Sequence, residues 1–196
     1  GAIAARPMQG KRLYWASTLA QQSNTDIGAF DYQNGYRDST SVTSSAYSWM
    51  WRRAKGYCDV VAYEGNGTNG HTIKHNLGVA PELLIVKSRT VTGDWRVNLY
   101  NVLNDTKSAY LNENDAAFND TSNWNSYYPT ATDFKVGSGN GVNGNGQLYI
   151  ALLFASVDGI SKIGTYSHTQ GSTTDVDCGF SNGARLVIVK RTNSTG

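Results

Sequence analysis

The chain has 196 residues, a hydrophobic fraction of 39% and a formal net charge of +2. This length and apolar content support a real hydrophobic core, which excludes a disordered tail, and so small a charge excludes an electrostatic surface for nucleic acid. No run of about 18 apolar residues occurs, so the sequence predicts no membrane insertion.

Uncharged polar residues and glycine dominate the rest of the composition. Charged residues make up only 16% of the chain, below the roughly 25% of an average soluble protein, and there are 21 glycines. Gly and Asn tolerate the positive φ angles of tight hairpin turns. The composition therefore predicts an all-β protein of many short strands.

The first part of the chain shows no clear periodicity. It opens with "GAIAARPMQGKR", which begins at Gly1 and has no methionine in first place. We interpret residues 1–55 as the end of a preceding β unit or as an N-terminal linking segment of a longer polypeptide.

Strand patterns begin after residue 56. Tyr57 to Tyr63 is rich in β-prone residues, and "EGNGTNG" after it is a turn signal. Residues 71–77, "HTIKHNL", place both histidines, Ile and Leu on one face of a strand. Residues 83–87 are a continuous apolar run, typical of a buried strand. Further strands are predicted at Trp95–Tyr100, Ser108–Leu111, Asp133–Val136 and Gln147–Phe154. This pattern predicts an antiparallel β-sandwich of jelly-roll type.

The chain also repeats itself at a constant offset of 103 residues. Tyr63 falls on Tyr166, and residues 85–87, "IVK", fall on residues 188–190. Apolar positions stay in step where identity is lost, which favours a real repeat over chance. The sequence thus predicts tandem β units, with a complete unit at 56–158 and the truncated start of another at 159–196.

Several motifs carry a resemblance to a known group of proteins. These are "HNLGVAPE", "LLFA", "GISKIG" and "CGFSNGARLVIVKR". Residues 47–196 with these motifs resemble an uncharacterised repeated β-domain in virion proteins of tailed phages, many of them marine. The resemblance implies a structural or receptor-binding role in a fibre-like appendage and assembly as a homotrimer. It brings no catalytic residues with it.

Metal and redox chemistry find little support in the sequence. On a strand, His71 and His75 would lie roughly 13 Å apart at ~3.3 Å per residue, too far to share one ion. The repeat maps them to Thr174 and Cys178, which preserves no chelate. Cys58 and Cys178 allow one disulfide at most, and we expect free thiols.

Enzymatic motifs are equally weak. A glycosidase needs two carboxyl groups some 5 to 9.5 Å apart, and the sequence alone brings no two together. The glycine-rich "GSGNGVNGNG" lacks the Lys-Ser/Thr ending of a phosphate loop, and we predict a turn there. We expect no catalysis and no cofactor. The carboxylates considered were Asp94, Asp105, Glu113, Asp115, Asp120 and Asp133.

The aromatic loop "NWNSYYPT" is the strongest candidate binding site. Asn123, Trp124, Tyr127 and Tyr128 have the composition of a carbohydrate-contact surface, because an aromatic face packs on a sugar while amides bond its hydroxyls. The alternative is that Trp124 plugs the core and that the loop is structural.

Together these patterns predict a structural component of a phage virion, most simply a tail fibre exposed to the extracellular medium. Its expected partners are other virion proteins, copies of itself and a host-surface glycan. The alternatives are a carbohydrate-binding module for host adsorption, a head-decorating capsid fibre and a glycan-cleaving enzyme.

Overall fold

The computed structural model describes residues 2–23, 50–100 and 106–193. They form eleven short strands, and their helices are one 3-10 turn and one four-residue α-helix, neither long enough to cross a membrane. The all-β prediction is confirmed. The strands are β1 Ala2–Ile3, β2 Lys11–Tyr14, β3 Gln22–Ser23, β4 Cys58–Glu64, β5 His71–Lys74, β6 Leu83–Ser88, β7 Arg96–Leu99, β8 Lys107–Tyr110, β9 Phe118–Asn119, β10 Asp133–Val136 and β11 Leu148–Phe154, with the 3-10 turn at Arg6–Met8 and α1 at Asn140–Asn143.

One large antiparallel sheet organises the molecule. Its strand order is β4-β11-β6-β7-β8-β9, so β11, the last of the described strands in sequence, lies second in the sheet, between β4 and β6. Leu152 of β11 is opposite Val60 on one side and Ile85 on the other. The other described strands form two smaller sheets, β10-β5 and β1-β2-β3.

The first hydrophobic core lies between the large sheet and the β10-β5 sheet. Alternation sends Leu84 and Val86 of β6 to this side, where they join Ile73 of β5 and Phe134 of β10. All four side chains are at most 4% exposed. The two sheets therefore pack as a sandwich, while the jelly-roll topology stays a prediction.

The second core covers the opposite face of the large sheet. Ile85 and Val97 point to this side and pack with Met8 and Leu13 from the N-terminal segment. The indole N–H of Trp95 donates to the backbone oxygen of Tyr14 at 2.9 Å. Residues 2–23 thus belong to the same packed body as the central unit; residues 24–49 of the predicted N-terminal segment lie outside the described residues.

Sequence patterns located most of the strands in the central unit. Seven predicted strands are present, and Asp133–Val136 has the predicted bounds. The "GSGNGVNGNG" segment, predicted as a turn, instead contains α1. The patterns also missed β1, β3 and β9, because strands of two residues are too short to show a period, and β2, which lies in the segment without clear periodicity.

The C-terminal segment differs from the strands that it repeats in sequence. Residues 162–193 contain no strand, and Ile188 and Val189 are 63% and 61% exposed, whereas their counterparts Ile85 and Val86 are 7% and 0% exposed. The offset gives residues 159–193 counterparts of β4, β5 and β6 but none of β11, the strand that pairs with both β4 and β6. The tandem repeat therefore stays a prediction.

One local structure nevertheless recurs at the offset of the repeat. The amide of Ala54 donates to the oxygen of Cys58 at 3.1 Å, and the amide of Val157 donates to the oxygen of Ser161 at 3.0 Å. In both turns the first oxygen accepts from the amides three and four residues later. The third residue of each turn is a glycine, with φ of +76° and +71°. Two separate turns, 103 residues apart, have the same geometry.

Lys87 is the most unusual residue of the second core. Its side chain is fully buried, and its ammonium donates to the backbone oxygens of Thr18 at 3.3 Å and Ser88 at 3.1 Å. Burial lowers the pKa of Lys87 from 10.5 to about 8, since a charged amine loses its hydration there.

The free energy of unfolding is therefore expected to rise between pH 8 and pH 10. Below pH 8 Lys87 is protonated in both states, and above it the folded state releases a proton that the unfolded state keeps, which favours folding by about 1–3 kcal/mol. Urea unfolding at several pH values measures this rise, and Lys87→Met should remove it. If the free energy of unfolding changed with pH in the same way in both proteins, the assignment of the rise to Lys87 would be refuted. Measurements stop at pH 10 because burial raises the pKa of Tyr100, which destabilises the fold at higher pH.

Candidate functional site

Asp120 organises the start of the aromatic loop. Both of its carboxylate oxygens accept from the side-chain amide nitrogen of Asn123, at 2.7 and 2.8 Å. One of them also accepts from the hydroxyl of Ser122 at 3.0 Å. The guanidinium of Arg96 completes a buried ion pair with it at 2.9 Å. The loop is thus fixed to β7 by a network of charge-assisted hydrogen bonds.

Arg96 also packs against two neighbouring aromatic rings, whose centres are 4.8 Å apart. Its guanidinium carbon lies 4.6 Å from the ring centre of Tyr110 and 5.7 Å from that of Phe118. A Cβ atom at Gly141 would come within 2.9 Å of both the Arg96 Nε and the Asn123 Oδ1. A side chain at this position would therefore collide with the network, which explains why residue 141 of the glycine-rich segment is glycine.

Trp124 points into the protein and away from solvent. Its side chain is 0% exposed and belongs to the first core, and Asn123 beside it is 3% exposed. Neither side chain can reach a ligand at the surface. Of the two interpretations for Trp124, the structure shows the core plug.

The two tyrosines of the loop occupy the surface. Asn125 and Ser126 have left-handed φ angles of 45° and 55°, which turn the chain outward after Trp124. Tyr127 is half-buried, and the ammonium of Lys135 lies 5.8 Å from the centre of its ring. Tyr128 is 61% exposed. Carbohydrate contact stays a prediction, and only Tyr127 and Tyr128 of the four predicted residues have the accessibility for it.

A buried asparagine supports the neighbouring turn. Asn143 of α1 is 0% exposed, and its amide donates to the backbone oxygens of Gly137 at 2.7 Å and Thr68 at 2.9 Å. Its side-chain oxygen lies 2.9 Å from the amide of Asn66, which donates to it, and 3.0 Å from Nδ1 of His71. No sequence pattern points to this role, because Asn143 is one of many asparagines among glycines.

The histidines have structural partners. His71 contacts Asn143, as described above. In His75, Nδ1 accepts from the backbone amide of Leu77 at 3.2 Å, and Nε2 lies 3.2 Å from the backbone oxygen of Thr130. Burial lowers the pKa of His75, which favours the neutral ring. Within residues 2–23, 50–100 and 106–193, no three His, Cys, Asp or Glu side chains come together as a metal site.

Four of the predicted carboxylates accept hydrogen bonds or ion pairs in the structure. Asp133 accepts from Lys74 at 3.0 Å, and one amide group, that of Asn112, donates to both Asp94 and Glu113 at 3.0 Å. Asp120 is the buried partner of Arg96, and Asp105 lies outside the described residues.

A shallow depression of about 200 Å³ lies beside the 54–58 turn. Asp59 in its wall is paired with Arg53 and accepts the backbone amide of Asn76 at 2.7 Å. Cys58 in the same wall is a free, buried thiol, and burial raises its pKa. Burial therefore disfavours the thiolate, the reactive form of Cys58.

The chain belongs to a family described as a domain of unknown function (DUF7483), which matches residues 16–196. No curated protein and no solved structure gives a significant match.

Proposed function

We propose that this DUF7483 protein is a non-catalytic structural module of a phage virion, in a tail fibre or fibre-like appendage that contributes to host adsorption. In this proposal tandem β units extend the appendage, and three copies of the chain assemble side by side. The other partners would be neighbouring virion proteins.

The recurrence of the 54–58 turn at 157–161 is the observation that carries this proposal. The first turn precedes β4, and the second precedes the residues that the 103-residue offset aligns with β4, as a repeated junction between units would require. A chain that joins similar units through similar turns can be lengthened without a new folding problem. The resemblance to repeated virion domains supports the same conclusion.

The candidate site supports a structural role in a second way. Polar residues of the candidate site form contacts that stabilise the loops and strands. Asp120 pairs with Arg96, Asn143 bonds the 66–71 turn, and Asp133 pairs with Lys74. Each described carboxylate of this set already has a hydrogen-bond partner. The arrangement stabilises a rigid unit, which supports a structural role.

The location can be tested by labelling virions. Gold-coupled antibodies against the purified chain should mark the tail appendages of phage particles that carry the gene. Label on the head would favour a head-decorating capsid fibre, and particles without label would refute a virion role. Light scattering of the purified chain gives the number of copies, which we expect to be three.

A second candidate function is carbohydrate binding by the loop tyrosines, which the exposed ring of Tyr128 beside Tyr127 and Lys135 favours. If the loop binds host glycan, Tyr128→Ala is expected to lower glycan-array binding at least tenfold because the ring supplies the stacking face. Tyr166→Ala, which removes a tyrosine that is 48% exposed elsewhere, is the control. Unchanged binding in Tyr128→Ala would refute this candidate.

A further inference from the structure

The outer face of the β10-β5 sheet carries a lysine that no carboxylate neutralises. Ile73 and Phe134 point into the first core, so the residues on either side of them in each strand face outward. Lys74 and Asp133 on this outer face are paired at 3.0 Å, which leaves Lys135 as its remaining charge. Within residues 2–23, 50–100 and 106–193, no ion pair includes Lys135. The face therefore has a net positive charge.

Tyr127 of the aromatic loop fixes the position of this charge. The Lys135 ammonium lies 5.8 Å from the centre of the Tyr127 ring. The hydroxyl end of the ring rests on the turn before β5, where a Cβ atom at Gly70 would come within 3.1 Å of the Tyr127 hydroxyl. A cation–π contact neutralises no charge, since the ring itself is uncharged. Lys135 can therefore still bind an anion while Tyr127 holds it in place.

A pair of side-chain amides lies beside Tyr127, in the same loop and turn. The Asn125 amide nitrogen donates to the side-chain oxygen of Asn69 at 2.9 Å. Among the described residues, the nitrogen of Asn69 and the side-chain oxygen of Asn125 make no further hydrogen bond. One donor and one acceptor are thus held next to each other at the surface. Such a pair is suited to the neighbouring hydroxyl groups of a sugar.

Tyr128 adds an aromatic surface that is supported from below. Its ring centre lies 6.5 Å from that of Tyr100, which is only 3% exposed, and the two rings are tilted by 45°. Tyr128 itself is 61% exposed. The buried ring therefore positions Tyr128, and the remaining surface of Tyr128 is open to the C–H groups of a sugar.

We propose that this surface binds a negatively charged polysaccharide, with an acidic group of one sugar against the Lys135 ammonium and a sugar ring on Tyr128. The inference rests on the glycan-binding candidate of the proposed function and adds the class of glycan. A neutral sugar would use the aromatic ring and the amide pair, whereas an acidic sugar would also use the unpaired charge. The carboxylate of a uronic acid and a sulfate ester share this chemistry.

A glycan array tests the requirement for charge. Uronate-containing glycans are printed beside their carboxyl-reduced counterparts, and sulfated glycans beside their desulfated counterparts. The full chain is expected to bind an acidic glycan about fivefold more tightly than its neutral counterpart, as for a favourable exposed ion pair. The matched pair that shows this difference identifies the acidic group. Equal binding of the acidic and neutral members of every pair would overturn the proposal.

Three variants assign the preference to one lysine. Lys135→Gln is expected to bind the acidic glycan only as tightly as the neutral one, whereas Lys135→Arg should keep the preference because the charge remains. Lys162→Gln is the control, because it removes an exposed lysine of the C-terminal segment and changes the net charge equally. An unchanged preference in Lys135→Gln, or an equal loss in both glutamine variants, would overturn the proposal.

Failure of this inference can be told apart from failure of the functions proposed above. Glycan binding that Tyr128→Ala lowers, without any preference for acidic members, would refute the acidic ligand and leave the carbohydrate candidate standing. If the chain bound no glycan on the array, both would be refuted. Virion labelling is independent of these results, so labelled appendages without glycan binding would leave the structural role standing.

Discussion

Replacing Trp124 by alanine is expected to lower the free energy of unfolding by about 3–5 kcal/mol. The indole is 0% exposed and fills the first core beside Phe134 and Val142, so its removal leaves a cavity under the aromatic loop. Urea unfolding followed by circular dichroism measures the change. If this variant lost glycan binding, the cause would be the destabilised fold, because the buried indole makes no contact with a surface ligand.

Two further variants complete that experiment. Tyr128→Ala, in the same loop but exposed, should change the free energy of unfolding by less than about 0.5 kcal/mol. Trp124→Phe keeps a ring and removes an indole N–H that has no hydrogen-bond partner, so it should cost less than the alanine variant. Equal stability of Trp124→Ala and the unaltered chain would show that Trp124 is not a core residue.

Asp120→Ala is expected to cost about 3–5 kcal/mol, the range for removing one partner of a buried ion pair. Arg96 would keep its charge in a site where its side chain is only 17% exposed, and the Asn123 amide would lose both of its contacts with the carboxylate. The loop from residue 120 to residue 128 should then loosen, which hydrogen exchange on its amides can follow together with urea unfolding.

A double-mutant cycle separates the ion pair from the rest of this network. Arg96→Met removes the charge and keeps much of the side-chain volume against the two aromatic rings. If the pair is coupled, Asp120→Ala should cost less in the Arg96→Met background than in the unaltered chain. Equal costs in both backgrounds would contradict a coupled pair.

The strands of the central unit could be predicted because their patterns are strong. The "LLIVKS" run is buried on both faces, and residues 133–136 alternate strictly, so period and composition identify β6 and β10. The pairing could not be predicted, because β11 inserts between β4 and β6 although it follows them by many residues.

The candidate loop was found from composition, but composition could not assign its residues. An aromatic ring serves equally well as a core plug and as a sugar platform, and only the packing around Trp124 distinguishes the two. The Asp120–Arg96 pair was missed because its partners come from a loop and from β7, 24 residues apart. The roles of Asn143 and Gly141 depend on distances that no local pattern encodes.

The tandem repeat has clear support in the sequence, where positions match at a constant offset, and little support in the fold. Its turn recurs with matched hydrogen bonds, and its strands do not. The physical reason is that a sheet forms by pairing, and β11, the strand that joins β4 to β6, is also the last described strand of its unit.

One engineered chain tests this account most directly. Because the offset places Gly196 on Gly93, a second copy of residues 94–158 is fused after Gly196 and amide exchange is measured on residues 186–191. Tandem units predict that these amides become protected to the level of β6, and that scrambling the fused copy of β11 abolishes the protection. Rapid exchange there in the intact fusion, with β6 still protected, would contradict the tandem arrangement.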